Sequence, residues 1–218
     1  MILGVERPRS DATSHGRDSR NMSKRRNPVE LARPTSDLLR RYIEQFEKDE
    51  RYYVGDQAII RLFKLLPSNK DLEDVLLKLS VVNDLYSTNI FATFKMAKHI
   101  QSLGVDGELA NHSPEVVNRI ADVTISGKSY RFFSFATKYC SWHDQDNYPI
   151  SDSFVERLLL TYQYQYGFAQ FEKTDLRDYP RFKGIVEQFQ RHFGLLDFGL
   201  KRLDKFLWLY GKEKFGGR

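Results

Sequence analysis

The chain has 218 residues, 41% of them hydrophobic, and a formal net charge of +5. That supplies enough apolar material for one core, so one compact domain, or a domain plus a tail, is expected. No apolar run reaches the roughly 20 residues that span a bilayer, residues 1–5 are too few for a signal-peptide core, and the lone Cys140 excludes an internal disulfide framework and fits a reducing cytoplasm.

The charge is unevenly placed. Residues 1–33 carry eight Lys/Arg against four Asp/Glu, which leaves 26 against 25 for the rest. The body of the protein is therefore almost neutral, and a nucleic-acid face has to come from clustering rather than from bulk charge. Residues 1–34 read as a disordered basic tail, dominated by Arg, Ser, Asp and Asn with few large apolar groups. Within it, Met22 opens the run Met22-Ser-Lys-Arg-Arg-Asn27, a second candidate translation start. Such an arm can hold phosphates without sequence preference, or can simply be a solvated tail.

From residue 35 to 218 the pattern is helical almost throughout. Ser36 is placed to cap a helix carrying Leu38, Leu39, Tyr42, Ile43 and Phe46 at three- and four-residue steps. A second helix is expected over 54–66, stopped by Pro67, a third over 72–86, and a fourth over 90–103, closed by Gly104. Ser113-Pro114 starts the next, with Pro at the first helical position, and it should end before Gly127. Helices then follow from Ser134 to about 143, from Asp152 to about 164, over 179–193 and over 197–210. The alternation Tyr162-Gln-Tyr-Gln-Tyr166 is too isolated to build a sheet. The expected class is all-α, in a single domain without internal repeats.

The segment from Ser134 to Val155 holds the strongest chemical signal. Pro149 cannot lie inside a helix and drives Tyr148 into an extended conformation. Asp152 or Ser153 can then cap the following helix, with Glu156 completing a capping box to Ser153. A carboxylate is thereby fixed at a helix start, eighteen positions after Ser134.

Ser134, Ala136, Tyr148-Pro149-Ile150, Asp152 and Val155 together resemble the helix-hairpin-helix DNA glycosylase superfamily. There, a Lys or Ser precedes the catalytic Asp by about this distance. The match is nearest to the adenine-excising branch, which carries Ser and a Phe-Pro-Ile approach. Asn83-Asp-Leu-Tyr-Ser-Thr-Asn-Ile90 and Leu203-Asp-Lys-Phe-Leu-Trp208 also resemble landmarks of a bacterial group with an oxoguanine-glycosylase-like fold. Where the superfamily has a Leu-Pro-Gly-Val-Gly hairpin, this chain reads Ile125-Ser-Gly-Lys-Ser-Tyr-Arg-Phe-Phe133, and it lacks the cysteines of an iron–sulfur cluster.

The resemblance implies an all-α, multi-helix glycosylase-like domain that cleaves the N-glycosidic bond of a modified or mispaired base. An oxidised purine is the first substrate to consider. Asp152 would stabilise the positive charge that builds on the sugar and position the attacking water. Ser134 at the Lys position implies water as nucleophile. Lys138, one turn later on the same helical face, is the alternative, and its amine would attack the sugar and add a lyase step.

Trp142 and His143 could contact an extruded base, or could be a core residue and a helix-end cap. Asn83, Tyr86 and Asn89 are further candidates for a base pocket, or for capping their helix junction. Ser126, Gly127, Lys128, Ser129 and Arg131 are candidates for DNA phosphate contacts. The implied partner is double-stranded DNA containing a modified base, the protein acting as a cytoplasmic monomer without cofactor or metal. The competing reading is a DNA- or protein-binding module that keeps the scaffold without chemistry.

Overall fold

The computed structural model of the chain describes residues 29–216. The expected tail at 1–28, with its possible start at Met22, lies outside them. Residues 29–34, read above as tail, are instead docked on the body. The Leu31 amide donates to Gln165 Oε1 and the Ala32 amide to the Tyr210 hydroxyl, while Tyr166 and Tyr162 donate to the carbonyls of Leu31 and Ala32. The Leu31 side chain is buried, which gives the segment an apolar anchor that its composition hides.

Helices dominate: α1 (Ser36–Lys48), α2 (Glu50–Leu65), α3 (Leu72–Leu85), α4 (Thr93–Leu103), α5 (Asp106–Ala110), α6 (Glu115–Ala121), α7 (Phe133–His143), α8 (Ser153–Tyr166), α9 (Tyr179–Phe193) and α10 (Leu200–Phe215), with a 3-10 turn over Lys173–Arg177. The all-α reading holds for the bulk of the described residues. Thr35 rather than Ser36 caps α1, its hydroxyl accepting from the Leu38 amide. Tyr162, Tyr164 and Tyr166 lie in α8, where the alternation is overridden by helical packing. No helix among the described residues is long and apolar enough to cross a membrane.

The only strands among the described residues lie between α6 and α7. Strands β1 (Asp122–Ile125) and β2 (Lys128–Arg131) pair antiparallel, with Val123 opposite Tyr130 and Thr124 opposite Ser129. No strand was expected there, because four residues per strand give too short a pattern to compete with helix. The cause is local. Ser126 (φ 51°) and Gly127 (φ 78°) are both left-handed, which is what a two-residue hairpin turn of the favoured twist requires, and Val123 and Ile125 bury their side chains. A β-ribbon thus stands where the resemblance implied a short glycine loop. Added to Gly127, a Cβ would meet nothing within 4 Å, so Gly127→Ala carries only the backbone cost of the left-handed region. It should lower stability by about 1–2 kcal/mol, read as a shift in the urea midpoint. An unmoved midpoint would mean that the turn is open in solution.

Helix α7 is the axis of the fold. Its residues Phe133 and Phe135 to Trp142 are all buried, because α2, α3 and α6 surround it. Helix α10 lies across α1 and α8 and touches the start of α8 at Gly211, where an added Cβ would stand 2.8 Å from the Phe154 Cβ. Only glycine permits that approach, and it brings α10 beside the first turn of α8, which Asp152 caps.

Candidate active site

Three hydrogen bonds fix the path into Asp152. Thr137 Oγ1, on α7, accepts from the Ser151 amide at 3.1 Å. The Tyr179 hydroxyl donates to the Pro149 carbonyl at 2.9 Å and the Tyr148 hydroxyl to the Ser113 carbonyl at 3.0 Å. With Tyr148, Pro149 and Ile150 buried, the linker has little freedom. Asp152 then caps α8, its Oδ1 accepting from the amides of Phe154 (2.8 Å) and Val155 (3.0 Å). The second carboxylate oxygen accepts no hydrogen bond among the described residues. The expected Ser153–Glu156 capping box does not form. Glu156 turns instead to Lys173 (3.1 Å) and Arg177 (2.9 Å), two cations that outbid a reach back to a backbone amide.

Lys138 shares this cleft. Its side chain is 4% exposed, with Nζ donating to Ser134 Oγ at 2.6 Å and standing 5.4 Å from the centre of the Tyr86 ring. Burial pushes the ammonium below the ordinary lysine range, and the nearby Asp152 carboxylate offsets part of that shift. Leu85, Tyr86, Lys138, Asp152 and Trp208 belong to the walls of two adjoining chambers. The larger, about 580 Å³ and called the outer chamber, also touches Ser134, Phe133 and Arg177. The smaller, called the inner chamber, is about 130 Å³.

The inner chamber is built largely from residues that sequence reasoning did not single out. Phe46, Tyr52 and Trp208 form an aromatic corner, with Tyr52 and Trp208 edge-on at 5.1 Å and Phe46 stacked on Tyr52 at 5.0 Å. Asp56 on α2 and Asp204 on α10 face it, with Lys201 Nζ between them at 3.8 and 3.9 Å. Burial pushes the Asp204 carboxyl up to about 7, against the pull of Lys201. A signal for this existed. Lys201, Asp204 and Trp208 recur at three- and four-residue steps on a helix whose other face is Leu200, Leu203, Phe206, Leu207 and Tyr210, so one polar stripe is held against the body rather than solvent. Trp208 lines the cleft, while Phe206 on the same helix is core.

The remaining candidates divide. Tyr86 lines both chambers. Asn83 does not reach them. It clamps the α3–α4 loop, donating to the Ile90 carbonyl and accepting from the Ile90 amide and the Thr88 hydroxyl. Asn89 is exposed and left-handed at φ 59°. Trp142 lies behind the inner chamber, its ring 3.9 Å from Lys201 Nζ, and His143 opens with it on a separate cavity of about 620 Å³. In the hairpin, Lys128 and Ser129 are exposed, Ser126 accepts from Lys95 at 2.6 Å, and Arg131 is occupied by Asp122, Asn118 and the Arg177 carbonyl. Arg131 therefore braces the ribbon against the rim of the outer chamber. Among the described residues no three His, Cys, Asp or Glu side chains converge to hold a metal ion.

Burial holds the His143 imidazole down at about 3, packed against Phe63 and Tyr139. The unfolded chain takes up its proton near pH 6.5 and the folded chain only near 3, so this contribution to stability is complete above pH 6.5 and is lost as pH falls through that window, on the order of several kcal/mol in all. His143→Gln should flatten the loss of stability between pH 7 and 4, followed by urea midpoints. An undiminished acid slope would show the imidazole to be solvated.

The profile of the HI_0787_N N-terminal domain matches residues 38–147. An uncharacterized protein of Haemophilus influenzae strain Rd is 44% identical over 145 residues, covering 66% of this chain and 69% of that protein. The chain belongs to the HI_0787_N family. No solved structure matches. The HI_0787_N match carries Asp56, Tyr86, Ser134 and Lys138, whereas Asp152, Lys201, Asp204 and Trp208 lie beyond it. The cleft is thus shared between the matched segment and the C-terminal third of the chain.

Proposed function

We propose that the protein is a DNA base-excision glycosylase of the helix-hairpin-helix kind, cleaving the N-glycosidic bond of a modified or mispaired base. The observation that carries this reading is the pairing of Lys138 and Asp152 at the neck between two chambers, the inner one walled by aromatic faces. Cleavage builds oxocarbenium-like charge on the sugar, and a fixed carboxylate stabilises it. Asp152, held by two backbone amides, is positioned for that role without reorganisation. The sugar would sit at the neck and the extruded base within, since the bond is unreachable inside the duplex.

Lys138, rather than water activated beside Ser134, is the nucleophile this geometry favours. Burial drives the amine towards its neutral form, which is the form that attacks. The lone pair on Nζ forms a bond to C1′ as the C1′–N bond breaks, its electron pair leaving with the base and a proton passing from Nζ to the solvent. Ser134 Oγ, 2.6 Å from Nζ, orients the amine. Duplex oligonucleotides carrying a panel of modified bases test this, assayed with and without alkali and with borohydride. Strand cleavage without alkali and a trapped covalent adduct support Lys138. Product only after alkali supports the water route.

A second reading, a module that binds DNA or protein without chemistry, is favoured by the hairpin. Its turn has one glycine and its Arg131 is already engaged. Base release from any member of the panel decides against it. Under either DNA reading, affinity must fall steeply with salt, because phosphate contacts release counterions. Binding that ignores salt would point away from nucleic acid.

A further inference from the structure

Asp56 and Asp204 present an unusual condition. Their side chains are only 11% and 14% exposed, and both line the inner chamber. Their contacts with Lys201 are long, at 3.8 and 3.9 Å, and Asp56 also stands 3.8 Å from Lys205. Neither carboxylate accepts a hydrogen bond among the described residues. Each keeps some exposed surface, which for Asp204 opens on a cavity with aromatic walls and for Asp56 on that cavity and on a second one beside Lys205. The chamber therefore offers paired acceptors and flat apolar faces to whatever enters it. Its third wall is Gly55, where an added Cβ would meet nothing within 4 Å, so helix α2 leaves that side of the cavity open.

We infer that Asp204, supported by Asp56, is the specificity-determining residue of the inner chamber, and that it selects a nucleobase presenting two adjacent N–H donors on its edge. This rests on the glycosylase reading for its biological meaning, though not for its test. A carboxylate has two acceptor oxygens in one plane and matches a ring N–H beside an exocyclic amino group. The guanine edge, N1–H with N2–H₂, has that pair. Hypoxanthine keeps only the ring donor, and adenine places an acceptor at N1, which would face the carboxylate lone pairs. Lys201 holds the two carboxylates apart and partly neutralised, so that an uncharged base can enter. The aromatic corner of Phe46, Tyr52 and Trp208 receives the ring.

The test is calorimetric binding of 2′-deoxyguanosine, 2′-deoxyinosine and 2′-deoxyadenosine to the full chain, in buffer well above the Asp204 value of about 7. Deoxyguanosine should bind about tenfold or more tightly than deoxyinosine, with deoxyadenosine weakest. Asp204→Asn, which swaps one acceptor for a donor, should remove the preference for deoxyguanosine over deoxyinosine. If that variant does not fold, Gly55→Leu serves. It fills the chamber from a helical position where leucine is favoured over glycine, and should abolish binding of all three. Equal binding of the three nucleosides, no binding of any, or an intact preference in Asp204→Asn overturns the inference. Preference without base release from any oligonucleotide would leave Asp204 in this role and remove the glycosylase reading. Base release without preference would do the reverse.

Discussion

Asp152→Asn is expected to reduce base release by about 10²–10³-fold while leaving affinity for duplex DNA within a factor of two or so. The substitution isolates charge from structure unusually well. Asn is as good an N-cap as Asp, so its side-chain oxygen can keep the bonds from Phe154 and Val155 that Oδ1 makes now. What the fold loses is the interaction of a negative charge with the start of α8, about 0.3–1 kcal/mol. Asp152→Ala should cost about a further 1 kcal/mol through the lost cap, so the two variants separate stability from chemistry. Single-turnover base release and thermal melts of both are the measurements. Full activity in Asp152→Asn would sink the carboxylate's assigned role, and with it the reason for placing a sugar at the neck of the cleft.

Lys138→Met is expected to abolish the borohydride-trapped adduct and to lower base release by ~10³-fold or more, the scale seen when a nucleophile is removed. The same change should leave the protein as stable as before, or more so. The lysine is buried along α7 with its ammonium held by the hydroxyl and, more distantly at 3.5 Å, the carbonyl of Ser134, and exchanging such a group for an apolar side chain of similar length removes a desolvation cost. Loss of function combined with retained stability is the signature of a group kept for chemistry. If Lys138→Met retains base release, water is the nucleophile that displaces the base. A companion Ser134→Ala distinguishes the two further. It should weaken the adduct if the hydroxyl orients the amine, and should matter most if Ser134 itself holds the water.

The sequence carried the helices and the approach to Asp152 because both depend on short-range chemistry. Pro149 must break a helix, Asp152 must cap one, and Gly104 and Gly167 end two others in left-handed conformation. The hairpin was missed because its strands are four residues long and its turn depends on a backbone state of Ser126 that composition does not reveal. The docking of residues 29–34 was missed for a different reason. Their partners are Gln165 and three tyrosines, all more than a hundred positions away. The cleft was half legible. Ser134, Lys138, Asp152 and Tyr86 could be found from motif and helical register. Asp204 is signalled only by its helical stripe with Lys201 and Trp208, and Asp56 could not be found, because what marks it is its approach to two lysines on a remote helix.

Those remote contacts also set when the cleft can exist. Leu31 and Ala32 are bonded to residues of α8 and α10, Tyr42 to Glu213, and Lys205 to Glu47, so the first and last described segments close on one another. During synthesis, Lys138 and Asp152 leave the ribosome well before α10, and until it docks they have no inner chamber behind them. Contacts of such long sequence separation slow folding. The inner chamber is therefore completed only as α10 seats, and a chain ending before residue 200 would present Lys138 and Asp152 without the wall that Lys201, Asp204 and Trp208 supply.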